Sequence, residues 1–152
     1  MNRVVLSAAL ATAALCSLSG PALAAAPKAI ISTIYCESVG GAQTVPAGTR
    51  LIINQYWGTA TLAQQRAFRK NVTMRAKLDG VAITGANQYF QAPNYNGNTE
   101  AWNTTWSYPY HVMARDESVV IRTQLLFNKR TFDGWDYYNG PQRAVLCTIT
   151  AV

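Results

Sequence analysis

The stretch TFDGWDYYNGP, residues 131–141, sets four aromatic rings and two carboxylates among turn-forming residues. Phe132, Trp135, Tyr137 and Tyr138 follow neither a helical nor a strand period, which predicts a loop. Flat rings with a polar tip that stand outside a core stack on sugar faces, and Asp133 and Asp136 beside them would orient hydroxyl groups. A second wall is predicted over 85–100, GANQYFQAPNYNGNTE, where Tyr89 and Tyr95 stand among amides. The candidate ligand site is therefore Trp135, Tyr137, Tyr138, Asp133, Asp136, Tyr89 and Tyr95, and the ligand class an extracellular glycan or similar molecule. The competing reading folds the same rings inward as a lid, since a small domain has few large apolar groups to spare. Asp133 also reads as a turn former ahead of Gly134. The segment lacks the spaced carboxylates of a dedicated calcium loop.

Catalytic chemistry is poorly provided for. His111 is the single histidine; set within an aromatic run, it is expected to be a packed or edge residue rather than a general base. No Gly-x-Ser-x-Gly elbow occurs. The seven carboxylates show no spacing that names a cleft of the kind glycoside hydrolysis needs. The expectation is a non-catalytic protein without cofactor or metal. Arg66, Arg69, Lys70, Arg75 and Lys77 form a candidate basic patch for anionic glycan or lipid headgroups, weighed against an ordinary solvated face. Charge on this modest scale lacks the dense footprint of a nucleic-acid binder.

Compartment follows from the first residues. MNRVVLSAALATAALCSLSGPALAAAP places Arg3 before a short apolar run, a Gly20-Pro21 break and small residues at 22 and 24. That is the pattern of a secretory signal peptide cleaved after Ala24, with a single domain in residues 25–152. Of 13 basic residues only Arg3 falls in the leader, so the mature charge is one unit below the chain's +6. Cys16 leaves with the leader, and Cys36 and Cys147 remain as an even pair in an oxidising compartment, expected to form a disulfide. No later apolar run is long enough to span a membrane. The mature protein is expected to be secreted, periplasmic or extracellular, with a glycan or a surface protein as partner and no nucleic acid.

The elements that must position these residues read mostly with period two. Strands are predicted over 29–39, 49–58, 101–112, 117–129 and 142–152. The segment 71–84 reads as a hairpin turning at Asp79-Gly80. In 101–112, Trp102, Thr104, Trp106, Tyr108 and Tyr110 share one face and are assigned to the core, while Pro109 marks an edge or a bulge. Only 59–71 reads helically, with a thin apolar stripe that predicts a short crossing between sheets. About seven strands with regular turn signals predict an all-β, antiparallel β-sandwich whose first and last strands are joined by the disulfide, with a small β-barrel as the alternative.

This layout, with the run VPAGTRLIINQYWG as a second strand, resembles the immunoglobulin-like and fibronectin-type modules of bacterial surface and exported proteins. The resemblance implies a β-sandwich with a non-catalytic binding or assembly role. It departs from antibody-type domains, which pair cysteines of two middle strands.

Overall fold

The computed structural model describes residues 25–152; the expected signal peptide and its cleavage site lie outside the described residues. Two sheets pack face to face and do not close into a barrel, so the fold is a β-sandwich. Sheet 1 has the order β1 (Lys28–Ser32), β3 (Arg50–Thr59), β7 (Ala101–Val112) and β6 (Asn94–Asn96). Sheet 2 has the order β2 (Ala42–Val45), β10 (Val145–Ala151), β8 (Ser118–Phe132), β4 (Val72–Leu78) and β5 (Val81–Ala82), with β9 (Tyr137–Pro141) added to the far end of β8. Most pairings are antiparallel, but both β1–β3 and β2–β10 run parallel. Among the described residues the ten strands exceed the seven expected by β2, β6 and β9, short pieces of three to five residues.

Alternation decides which side chains meet between the sheets. Val119, Ile121, Thr123, Leu125 and Phe127 of β8 are all buried, as are Val145, Cys147 and Ile149 of β10. From β3, Leu51 and Ile53 face them. In β7 the core ring is Trp106, fully buried, with its indole N–H donating to Ala86 O at 2.7 Å. Tyr108 stacks beside it, and Tyr108 and Tyr110 are partly buried against the core. A bulge falls where Pro109 predicts it. Arg50 pairs with Val112 but Ile52 pairs with Pro109, so β7 carries one residue more than β3 between those partners.

The Asp79-Gly80 turn forms as expected, both residues taking positive φ, 47° and 82°. The helical segment is α2 (Leu62–Asn71), which carries the chain from sheet 1 to sheet 2. Its start is held by a capping box: Thr61 Oγ1 accepts from Gln64 N, and Gln64 Oε1 accepts from Thr61 N. Its buried residues are Gln65 and Phe68. Phe68 stacks on Trp57 and meets Phe127 and Phe90. Gln65 reaches the edge of β7 with its amide. Oriented with Nε2 toward Trp102 O (2.9 Å) and Oε1 toward Thr104 N and Oγ1, it satisfies every group around it.

The first predicted strand requires correction. Its second half is a helix, α1 (Thr33–Ser38), so the disulfide joins a helix to the last strand rather than strand to strand. Ser32 caps α1 by accepting from Tyr35 N. Gly40 and Gly41 then release the chain with φ of 103° and 77°. Thr33 and Cys36, three residues apart, are the buried pair of that single turn. The Cys36–Cys147 bond spans 111 residues of chain, with Cα atoms 5.7 Å apart.

Candidate binding groove on the outer face of sheet 1

Residues 131–141 are a β-hairpin rather than a loop: β8 runs on to Phe132, and β9 returns from Tyr137. The turn between them is locked by Asp133. Its Oδ1 accepts from both Trp135 N and Asp136 N at 2.9 Å, and its backbone N–H donates to Asp136 O. Asp133 is itself buried, and Asp136 Oδ1 accepts from Tyr137 N. This is the turn-forming role that the Asp-Gly pair suggests. The tip is seated on the start of α2, where Ala60 N donates to Asp133 O at 2.8 Å.

Pairing then sorts the rings. Tyr138 turns inward, edge-on to Trp57 at 4.7 Å and stacked on Phe127, and closes that end of the core. Burial raises its phenol pKa above the ordinary value, with Asp133 and Asp136 adding to the shift. Tyr137 pairs with Phe132 on the opposite face of the hairpin, under the Arg130 guanidinium at 4.1 Å. Trp135, 63% exposed at the tip, overhangs sheet 1. Tyr89 packs on Trp106 and Tyr108, while Tyr95 lies beside Trp102 at the sheet edge. The seven predicted ligand residues are therefore not gathered on one surface. Of the seven, only Trp135 lines the concavity beside the hairpin tip.

That concavity is a groove of about 630 Å³ on the outer face of sheet 1. Its floor is made by the outward residues of β3 and β7, among them Asn54, Tyr56, Asn103 and Thr105. Asn94, Asn96 and Thr99 form one wall and Ile30 with Ser32 of β1 the other, with Trp135 at one end. Alternation explains the composition: Tyr56 pairs with Thr105 and Gly58 with Asn103, so each pair points away from the core. Gly58 has a structural purpose here. A β-carbon at that position would stand 3.0 Å from Asn103 Oδ1, so glycine gives the Asn103 amide its room.

The chemistry of the groove is neutral. Among the described residues, no charged side chain lines it. Carboxamides and hydroxyls supply donors and acceptors side by side, and two rings, Tyr56 (53% exposed) and Trp135, stand open to solvent. Asn54 Oδ1, in the floor, meets no donor among the described residues. Residue types alone pointed to Trp135, but Tyr56 and the asparagines were missed. The available signal was the alternation Asn54, Tyr56, Gly58 within a strand whose other residues face inward.

The remaining chemistry-bearing groups lie elsewhere. His111 is exposed at the end of β7 and contacts Glu117, which also accepts from Ala114 N at 2.7 Å. Among the described residues, no group of three or more His, Cys, Asp or Glu is placed to hold a metal ion. No described helix is long and apolar enough to cross a membrane. The predicted basic patch divides. Arg69 donates to Gln91 O and lies 4.7 Å over the Phe90 ring, and burial lowers its pKa. Arg66 and Lys70 are exposed on α2, while Arg75 and Lys77 stand on the outer face of sheet 2.

No protein-family model and no curated protein matches the chain. Among solved structures, the crystal structure of the cysteine protease inhibitor EhICP2 from Entamoeba histolytica is similar at 7% identity and a TM-score of 0.42. The likeness covers 83% of this chain and 96% of that one. A likeness of that size carries no argument about function.

Proposed function

We propose that the protein is an exported, non-catalytic binding module of the immunoglobulin-like kind that holds an uncharged glycan in the groove on sheet 1. The observation that carries this reading is the lining: amides, hydroxyls and two exposed rings, without a formal charge. A charged ligand entering such a groove would lose hydration without gaining a counter-charge. A neutral polyhydroxylated chain loses little, because each hydroxyl meets a carboxamide or hydroxyl that can donate or accept. Tyr56 and Trp135 offer flat faces to the C–H faces of sugar rings, and both are amphipathic enough to stand in water when the groove is empty. The groove lies along strands rather than on free loops, so its floor needs no ordering when ligand arrives.

The test is binding of a panel of neutral oligosaccharides, read by calorimetry, to the protein and to its Tyr56→Ala and Trp135→Ala variants. Loss of one stacking ring is expected to weaken binding roughly tenfold or more, from the scale of aromatic contacts. Binding that survives both substitutions unchanged would remove the groove from consideration.

A second reading, a surface or extracellular assembly component, is favoured by one observation. β1 is an edge strand with Ile30 exposed, open to pairing with another chain. It requires a concentration-dependent oligomer in solution, and a strict monomer up to millimolar concentration would count against it.

A further inference from the structure

The outer face of sheet 2, on the opposite side of the sandwich from the groove, carries a different chemistry. Lys77 of β4 stands directly across from Arg122 of β8, and Arg75 stands across from Gln124. Arg75, Lys77, Arg122 and Gln124 line a shallow depression of about 220 Å³. Directly opposed residues have their β-carbons about 5 Å apart, and residues two apart on a strand about 7 Å. The three cationic side chains therefore root within one screening length of each other at physiological salt, about 8 Å. None of them is within salt-bridge distance of a carboxylate among the described residues; the ion pairs there are His111–Glu117 and Arg143–Glu37. Asp79, at the end of β4, holds Val120 N with its Oδ1. Gln124 Nε2 donates to Gln142 O at 2.8 Å, which holds the amide in the floor of the depression.

Like charges facing each other across a ladder destabilise it. A fold with seven carboxylates could place one here, and the face has instead three cations around a hollow. From this juxtaposition we infer that Arg75, Lys77 and Arg122 form a binding site for a single oxyanion, the sulfate or phosphate group of a soluble ligand. A guanidinium offers paired parallel donors to such a group, and the ammonium adds a point charge from the other strand. Three cations are fewer than the four to eight that hold a protein to an anionic bilayer, which favours a discrete anion over a membrane surface. The site is independent of the groove on sheet 1.

The experiment uses inorganic sulfate and inorganic phosphate, titrated at ionic strength matched with sodium chloride and followed by NMR. Saturable shifts centred on Arg75, Lys77 and Arg122 are expected, absent with chloride alone and weakened about tenfold by Arg122→Gln. The Lys77→Glu variant serves as the folded control, because it replaces a repelling pair by an attracting one. Its melting temperature is expected to equal or exceed that of the unsubstituted protein, while phosphate no longer raises it. Shifts of equal size with chloride, or shifts undiminished in Arg122→Gln and Lys77→Glu, would overturn the proposal. So would cosedimentation with phosphatidylglycerol vesicles in the absence of any response to the soluble anions.

Discussion

Gly134 and Ala60 approach so closely that no side chain fits between them. A β-carbon at 134 would overlap the Ala60 β-carbon and lie 3.0 Å from both Ala60 N and Gln64 Oε1. Gly134 also holds a φ of 111°, a conformation that side-chain-bearing residues rarely adopt. The two constraints act together, since the left-handed turn is what lets the Asp133 carbonyl reach Ala60 N and seats Trp135 over sheet 1. Gly134→Ala should therefore lower the unfolding free energy by about 2 to 3 kcal/mol, combining backbone strain with a clash against the rigid Ala60 β-carbon. Chemical denaturation measures it. A variant as stable as the original would mean that the tip is not seated on the start of α2.

The Cys36–Cys147 bond should matter in a graded way. α1 is six residues long, too short to persist by its own hydrogen bonds, and both sulfurs are buried. Replacing both cysteines by serine removes a constraint on 111 residues of unfolded chain, expected to cost about 4 to 5 kcal/mol in the chain-entropy model. Hydrogen exchange should show α1 and the Gly40-Gly41 turn opening first, with β8 the last to lose protection. Uniform loss of protection across the sandwich would contradict that order.

How much of this was legible beforehand depends on what each segment uses to hold itself in place. β8 as far as Phe127 and all of β10 alternate in burial, so their inward faces follow from period alone. The Asp79-Gly80 hairpin carries its own turn chemistry. The helix α1 was hidden because Ile30, Ile31 and Ile34 raise strand propensity, and one turn of helix is decided by Ser32, Gly40, Gly41 and the bond to Cys147 instead. α2 shows a thin apolar stripe because half of its anchorage is the Gln65 amide, a polar residue that composition assigns to the surface. Its capping pattern, Thr61 to Gln64, was nonetheless written in the chain. The groove was the least legible feature. It depends on Trp135 of the hairpin tip meeting Tyr56 and Asn103, and that juxtaposition exists only once strand order is known.

Glu117 ties the β7–β8 turn together and should give the fold an acid-labile component. Ala114 N donates to its carboxylate, and His111 and Tyr110 make further hydrogen bonds to it. The backbone bond from Ala114 is the largest cause of a carboxyl pKa lower in the folded protein than its ordinary value. The unfolded chain, with a carboxyl near 4.3, then binds its proton at higher pH than the folded one. This contribution to stability is complete above that value and is lost as pH falls through the lowered folded pKa. Glu117→Gln should lower the melting temperature at pH 7 and narrow the gap to the unsubstituted protein by pH 3. A gap that stays constant across that range would show that the ionised carboxylate is not what holds the turn.

Gly58 offers the sharpest separation of stability from binding. It lies inside β3 with an ordinary strand conformation, so alanine there adds no backbone strain and reduces the freedom of the unfolded chain, a gain of about 0.5 to 1 kcal/mol where space allows. The space is limited on one side only, by Asn103 Oδ1 at 3.0 Å, and a side-chain amide can rotate away. Gly58→Ala is thus expected to leave the melting temperature unchanged within a few degrees while displacing Asn103 from its position beside Tyr56 and Thr105. If neutral oligosaccharides bind in the groove, their affinity should fall by about tenfold, the scale of one lost hydrogen bond with its partner left buried. Equal affinity in a correctly folded Gly58→Ala protein would place the ligand elsewhere, because no other effect of the substitution reaches beyond the floor of the groove.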